Sequence, residues 1–287
     1  MLALAVAHGK KRAAAARTRR RANRRRGKRL PGSAGVLVAE GDSWFDYPFY
    51  DVLGMLEDDF NFRVESVAHK GDTVESMAYD ESQFAAFERK LEHLQHDSRT
   101  PRAILLSGGG NDIAGDEFAV LLNHAVSGLP PLNAKVVDGI INERLRFAYV
   151  SLLTAMTVRA HDYFNRVIPI VVHGYAYPVP DGRGYLGGFW ALPGPWLEPG
   201  FRQKGHLQLP KNVGVMEDLI DTFNAMLADV PKQVAGLSHV TYVDLRHVLS
   251  NSLASGAYRR SWENELHPSK AGFLGVARVF NDVIVKL

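Results

Sequence analysis

Cysteine is absent from the 287 residues. Disulfides, thiol nucleophiles and thiolate metal sites are excluded with it, while the redox compartment stays open. Long apolar runs are also missing: no stretch approaches the ~18 residues of a membrane span, so none is expected. Acidic residues do not occur before Glu40, whereas positions 10 to 29 carry twelve Lys or Arg, which leaves 22 basic against 31 acidic residues elsewhere. The net charge of +3 is therefore a property of the N-terminal segment. It is no evidence that an otherwise acidic body binds nucleic acid.

Residues 1–34 have too little apolar surface to offset ordering entropy and read as a disordered basic tail. Its positive residues follow the weakly apolar Met1–His8 stretch instead of preceding it, so no secretory signal is read and a cytoplasmic location is expected. Charge alone allows the tail weak contact with nucleic acid or an anionic surface. A Ser-poor, transit-like presequence and an extension without a role are the alternatives.

Residues 35–287, 46% hydrophobic as part of the whole chain, supply ample apolar content for one α/β domain. Short apolar runs end at turn residues: Val36–Ala39 at Gly41-Asp42, Phe62–Ala68 at Gly71, Ala103–Ser107 at Gly108-Gly109-Gly110, then Val167–Val172 and His239–Leu245. Pro169 inside the fourth run argues for an unusual or edge pairing. Between these runs lie helical patterns: a short one over Phe49–Leu56, a surface helix over Phe84–Leu94, a long one over Val136–Phe164, and Val215–Val230 with Met216, Leu219, Ile220 and Phe223 on one face. Asp72 with Glu75 suggests a capping box before a further helix, and Asp116 suits another cap. His93 and His96 lack a third ligand at metal spacing and read as solvated. Strands alternating with helices predict a parallel sheet covered on both faces, a three-layer α/β/α sandwich.

Gly174–Asn212 holds eight Gly, six Pro and seven aromatics. A loop this long is either functional or disordered, and Tyr175, Tyr177, Tyr185, Phe189, Trp190, Trp196 and Phe201 argue against disorder. It is expected to wall or cover a site at the strand ends; a purely structural packed loop is the alternative.

Ser43 follows the first strand, at the edge where open α/β sheets bind ligands. Asp42-Ser43 also suits a plain helix cap. Near the other terminus, His267 precedes Pro268, which suits a first helical position, and a helix mouth would help keep the imidazole neutral. Taken in order, Gly41-Asp42-Ser43, Gly71, Gly109-Gly110-Asn111-Asp112 and His267-Pro268 resemble the SGNH family of GDSL-type hydrolases, named for its Ser, Gly, Asn and His. The blocks span nearly the whole body. The resemblance implies a flavodoxin-like sheet and hydrolysis of an ester or acyl group on a small molecule or glycan, with no metal or cofactor. It assigns Ser43 as nucleophile and His267 as base, and an oxyanion hole to the N–H groups of Ser43 and Gly71 and the side-chain amide of Asn111.

One position departs from the pattern. The family places Asp three residues before the His, and here Asn264 stands there. Asn can accept the imidazole N–H but carries no charge to stabilise its protonated form; Glu263 or Glu265 would supply that charge if the turn allowed. An acyltransferase on the same fold, a non-catalytic binding protein and a nucleic-acid-associated protein acting through the tail are the other functional classes open at this level.

Overall fold

The structure is a computed structural model that describes residues 33–115, 117–185 and 193–287. The tail expected over 1–34, except for its last two positions, lies outside the described residues, as do the Asp116 cap and residues 186–192 of the long loop, with Phe189 and Trp190.

Five strands, β1 (Val36–Gly41), β2 (Arg63–Ser66), β3 (Ala103–Ser107), β4 (Ile170–His173) and β5 (Val240–Val243), pair in parallel in the order β2-β1-β3-β4-β5. The helices are α1 (Val52–Asp58), α2 (Val74–Tyr79), α3 (Glu81–His96), α4 (Ala134–Asp138), α5 (Arg146–Phe164), α6 (Glu198–Gln203), α7 (Leu209–Gln233), α8 (Tyr258–Ser261) and α9 (Lys270–Ile284). Helices α1 and α9 pack together in one layer, while α3, α5 and α7 pack side by side in the other. Strands β3 and β4 are buried along their whole length, which explains why they read as unbroken apolar runs. The expected α/β/α sandwich is the observed architecture, and its strand order is the flavodoxin-like one. The order reverses at β1 and β3, so the crevice beyond their carboxyl ends is the switch point where such sheets bind ligands. No helix among the described residues is long and apolar enough to cross a membrane.

Several local expectations are corrected. Pro169 lies just before β4, which is an interior strand; its missing N–H costs nothing there and its carbonyl accepts the N–H of Ile104. The box before α2 is Thr73 with Ser76, not Asp72 with Glu75: each hydroxyl accepts the other residue's backbone N–H at 3.0 Å. The Phe49–Leu56 pattern becomes α1 capped by Asp51, whose carboxylate accepts Gly54 N–H. The long Val136–Phe164 pattern is broken by a π-helical turn over Gly139–Leu145 between α4 and α5. Helix α9 begins after Ser269, its N-cap, so Pro268 is not at the first helical position and His267 stands two residues before the cap.

Candidate active site

The turn after β1 is tied from three sides by Asp42, a buried residue. One carboxylate oxygen accepts the backbone N–H of Trp44 at 3.0 Å and the hydroxyl of Ser107 at 2.7 Å; the other accepts the Tyr175 hydroxyl. Tyr175 in turn accepts the N–H of Gly110. One carboxylate thus joins the ends of β1, β3 and β4, and Ser43 is carried on a turn that cannot drift relative to the glycine-rich loop. Trp44 reaches the last of the predicted blocks by donating its indole N–H to the carbonyl of Leu266.

His267 meets Ser43 across this junction: the Ser43 hydroxyl lies 2.8 Å from Nε2. On its other side, Nδ1 lies 2.9 Å from Oδ1 of Asn264. Asn264 is fully buried, and the same Oδ1 accepts the backbone N–H groups of Leu266 at 3.0 Å and His267 at 2.9 Å. Two fixed backbone donors settle which end of the amide is oxygen, because a rotated NH2 would face both of them. The oxygen therefore faces Nδ1, the proton sits on Nδ1, and Nε2 is left as the acceptor toward Ser43. Burial holds the imidazole's pKa down to about 3, so it is neutral across the ordinary range. Burial disfavours the charged imidazolium and so keeps the ring neutral.

Tyr47 completes the support. Its ring stacks on the imidazole at 4.3 Å between centroids, and its hydroxyl accepts the Asn264 amide N–H at 3.0 Å. Sequence reasoning missed Tyr47; its place four residues past Ser43 was the one available signal.

The two glutamates weighed beside Asn264 are engaged elsewhere. Glu263 accepts the Tyr50 hydroxyl. Glu265, fully buried, accepts the backbone N–H groups of Trp196, Leu197, Gly182 and Glu198 at 2.7, 2.8, 2.9 and 3.0 Å. Burial raises its pKa above the ordinary value while these four donors pull it down. A carboxylate in this position binds the long loop to the histidine turn. Glu265→Ala leaves four donors without their acceptor, and each buried unpaired group costs about 1–3 kcal/mol. A loss of at least about 3 kcal/mol is expected in urea unfolding; a change under about 0.5 kcal/mol would show the loop is held by other means.

The described parts of that loop frame the site. Trp196 lies edge-on to His267 at 5.5 Å and Tyr185 edge-on to Tyr47 at 6.0 Å. Tyr177 points away, donating to Asp221, and Phe201 packs against Phe118. The loop is thus a wall at one end and ordinary core at the other.

Asn111 lines the same cavity as Ser43. Its amide donates one N–H to the carbonyl of Asp72 at 2.8 Å, leaving the second for a ligand. Gly71, the residue before Asp72, sits exposed in the turn after β2 with φ of 92°, a conformation natural to glycine. Asp112 anchors the loop by accepting the N–H groups of Val74 and Glu75 at the start of α2; burial raises its pKa to about 6. Gly109 has no room for a side chain, since a Cβ there would lie 2.5 Å from the Phe223 ring. Beside Ser43 the cavity encloses about 60 Å³. No cluster of three or more His, Asp or Glu side chains able to hold a metal ion occurs among the described residues.

Fold and site together define a flavodoxin-like α/β protein that presents Ser43, His267 and Asn264 in hydrogen-bonded sequence at the carboxyl edge of its sheet. No protein-family model matches the chain, and no curated protein matches it by sequence. Among solved structures it is similar to LAE5, an alpha/beta hydrolase enzyme from the metagenome of Lake Arreo, Spain, at 14% identity, covering 88% of this chain and 98% of that one with a TM-score of 0.49. It is also similar to a variant of Axe2, an acetyl-xylooligosaccharide esterase from Geobacillus stearothermophilus, at 16% identity, 88% and 95% coverage and a TM-score of 0.48.

Proposed function

We propose that the protein is a serine hydrolase that cleaves an ester or acyl group on a small molecule or glycan through Ser43 and His267. The observation that carries this reading is the contact of 2.8 Å between the Ser43 hydroxyl and a histidine nitrogen on a ring whose tautomer is set by Asn264 on the far side.

In the first half of the reaction Ser43 Oγ bonds to the acyl carbon, and its proton passes to Nε2 of His267. The carbonyl π electrons move onto the oxygen, which takes up hydrogen bonds from the N–H of Ser43, the N–H of Gly71 and the free N–H of Asn111. The tetrahedral intermediate collapses, the bond to the alcohol breaks, and His267 returns the proton to the leaving oxygen. Water then repeats the sequence on the acyl-serine and releases the acid. Asn111 donates where a carboxylate would repel the developing charge.

Turnover of a panel of p-nitrophenyl esters by the wild type and by Ser43→Ala tests the reading; equal rates would remove it. Acyl transfer shares the first half-reaction, and product analysis with an added alcohol or sugar acceptor separates the two outcomes.

A further inference from the structure

The cavity beside Ser43 is built almost wholly from apolar side chains. Helix α7 supplies one wall through Met216, Leu219, Ile220 and Phe223, positions spaced to share one face, and Ile113 and Ala114 stand at the end of the glycine-rich loop. Its few polar groups are largely occupied. The Asp42 carboxylate is taken by Trp44, Ser107 and Tyr175, and the Tyr175 hydroxyl also receives the N–H of Gly110. Among the described residues Ser43 and the second N–H of Asn111 face in with capacity to spare, and the indole N–H of Trp262, also in the lining, is buried without a partner. Leu266 lines the cavity, but His267 and Asn264 do not.

That last point orients a substrate. The leaving oxygen must lie within reach of His267 Nε2, because that nitrogen returns the proton to it. A cavity that touches Ser43 and Asn111 but not His267 therefore lies on the acyl side of the scissile bond. Its volume of about 60 Å³ is a few times the ~10–15 Å³ that admits a single water-sized group, room for a short chain and too little for a long one.

We infer that this cavity is an acyl pocket selecting short, uncharged chains of a few carbons. The inference rests on the hydrolase reading above and adds the substrate class. Burying one further methylene is worth about fourfold in binding, so moving from an acetyl to a butanoyl ester raises kcat/KM about fifteenfold. The gain stops near hexanoyl and reverses by decanoyl, where the chain outgrows the room. A half-ester of a dicarboxylic acid of the same length falls below the acetyl ester, since its carboxylate meets no cationic side chain in the lining and faces Asp42.

The test is kcat/KM for p-nitrophenyl acetate, butanoate, hexanoate, octanoate and decanoate. A maximum at butanoate or hexanoate supports the pocket; a flat series, a maximum at acetate or a steady rise to decanoate overturns it. Ile113→Trp, at the partly exposed rim, is expected to lower the hexanoate-to-acetate ratio at least tenfold, and Leu219→Ala to move the maximum toward octanoate. If Leu219→Ala does not fold, the wild-type series and Ile113→Trp decide alone. If no ester is turned over, binding of acetamide, butanamide and hexanamide is followed by the fluorescence of Trp44 and Trp262, which also line the cavity. Chain-length-dependent binding without turnover retains the pocket and overturns the hydrolase reading; no binding and no turnover overturn both.

Discussion

Ser43→Ala and His267→Ala are each expected to lower kcat on a p-nitrophenyl ester by about 10⁴ or more, and the double variant to lose little beyond either single one. The size follows from how such groups act as a unit. In a well-studied serine protease, loss of Ser or His alone costs about 10⁶ and loss of the carboxylate alone about 10⁴, so without a carboxylate only about 10² would separate an active serine from none. Here the Asn264 oxygen is pinned by Leu266 and His267 N–H groups, so the imidazole keeps its productive tautomer and only the carboxylate's charge is missing. The loss should accordingly lie well above about 10². Stopped assays on purified variants, with folding checked by circular dichroism, measure it. Equal rates in Ser43→Ala and wild type remove the enzyme reading, and additive losses in the double variant would mean that the two residues do not act together.

What the sequence made legible follows from where the relevant physics is local. The run Ala103–Ser107 is apolar, bounded by Arg102 on one side and three glycines on the other, and β3 occupies those five residues. Chemistry-bearing residues at strand ends were equally legible, because topology brings every carboxyl end of a parallel sheet to one edge. Direction within a turn was not. Glu263, Asn264 and Glu265 are consecutive, and composition cannot say which faces His267. Turn dihedrals send the first to Tyr50, the second to the imidazole and the third into four backbone N–H groups of a loop about 70 residues away in sequence.

Two other features were hidden for a different reason. The stripe Met216, Leu219, Ile220, Phe223 is amphipathic whether it packs against side chains or borders a cavity, so a pocket leaves no mark on periodicity. The cap of α2 stands one residue past the position its sequence suggests, because Asp72-x-x-Glu75 and Thr73-x-x-Ser76 overlap. Asp72 is drawn off by Gln83, whose amide donates to it at 2.6 Å, which leaves Thr73 to hold the helix start.

Asn264→Asp is expected to raise kcat/KM by about 10- to 1000-fold, since an opposite charge at this range stabilises an imidazolium by about one to three pH units. The surroundings already suit a carboxylate. Oδ1 would keep the N–H groups of Leu266 and His267 and the imidazole Nδ1–H, and the Tyr47 hydroxyl, which now accepts from Nδ2, can turn to donate to the second oxygen. The wild-type amide and the introduced carboxylate therefore differ mainly in charge, at nearly constant shape. The sign of the pH effect follows. A negative charge beside His267 favours its protonated form, so its pKa rises from about 3, and the acid limb of kcat/KM moves upward with it. Wild type should hold its activity to lower pH than the variant while being slower at pH 7. A carboxylate from Glu263 acting on His267 would reverse these expectations: Asn264→Asp would then add a second charge beside the first and gain little, while Glu263→Gln would carry the loss. Kinetics of Asn264→Asp and Glu263→Gln on one ester, each as a function of pH, distinguish the two. A faster Asn264→Asp with its acid limb shifted up assigns the missing charge to position 264, whereas an unchanged Asn264→Asp with a damaged Glu263→Gln shows that the working partner of His267 is not Asn264.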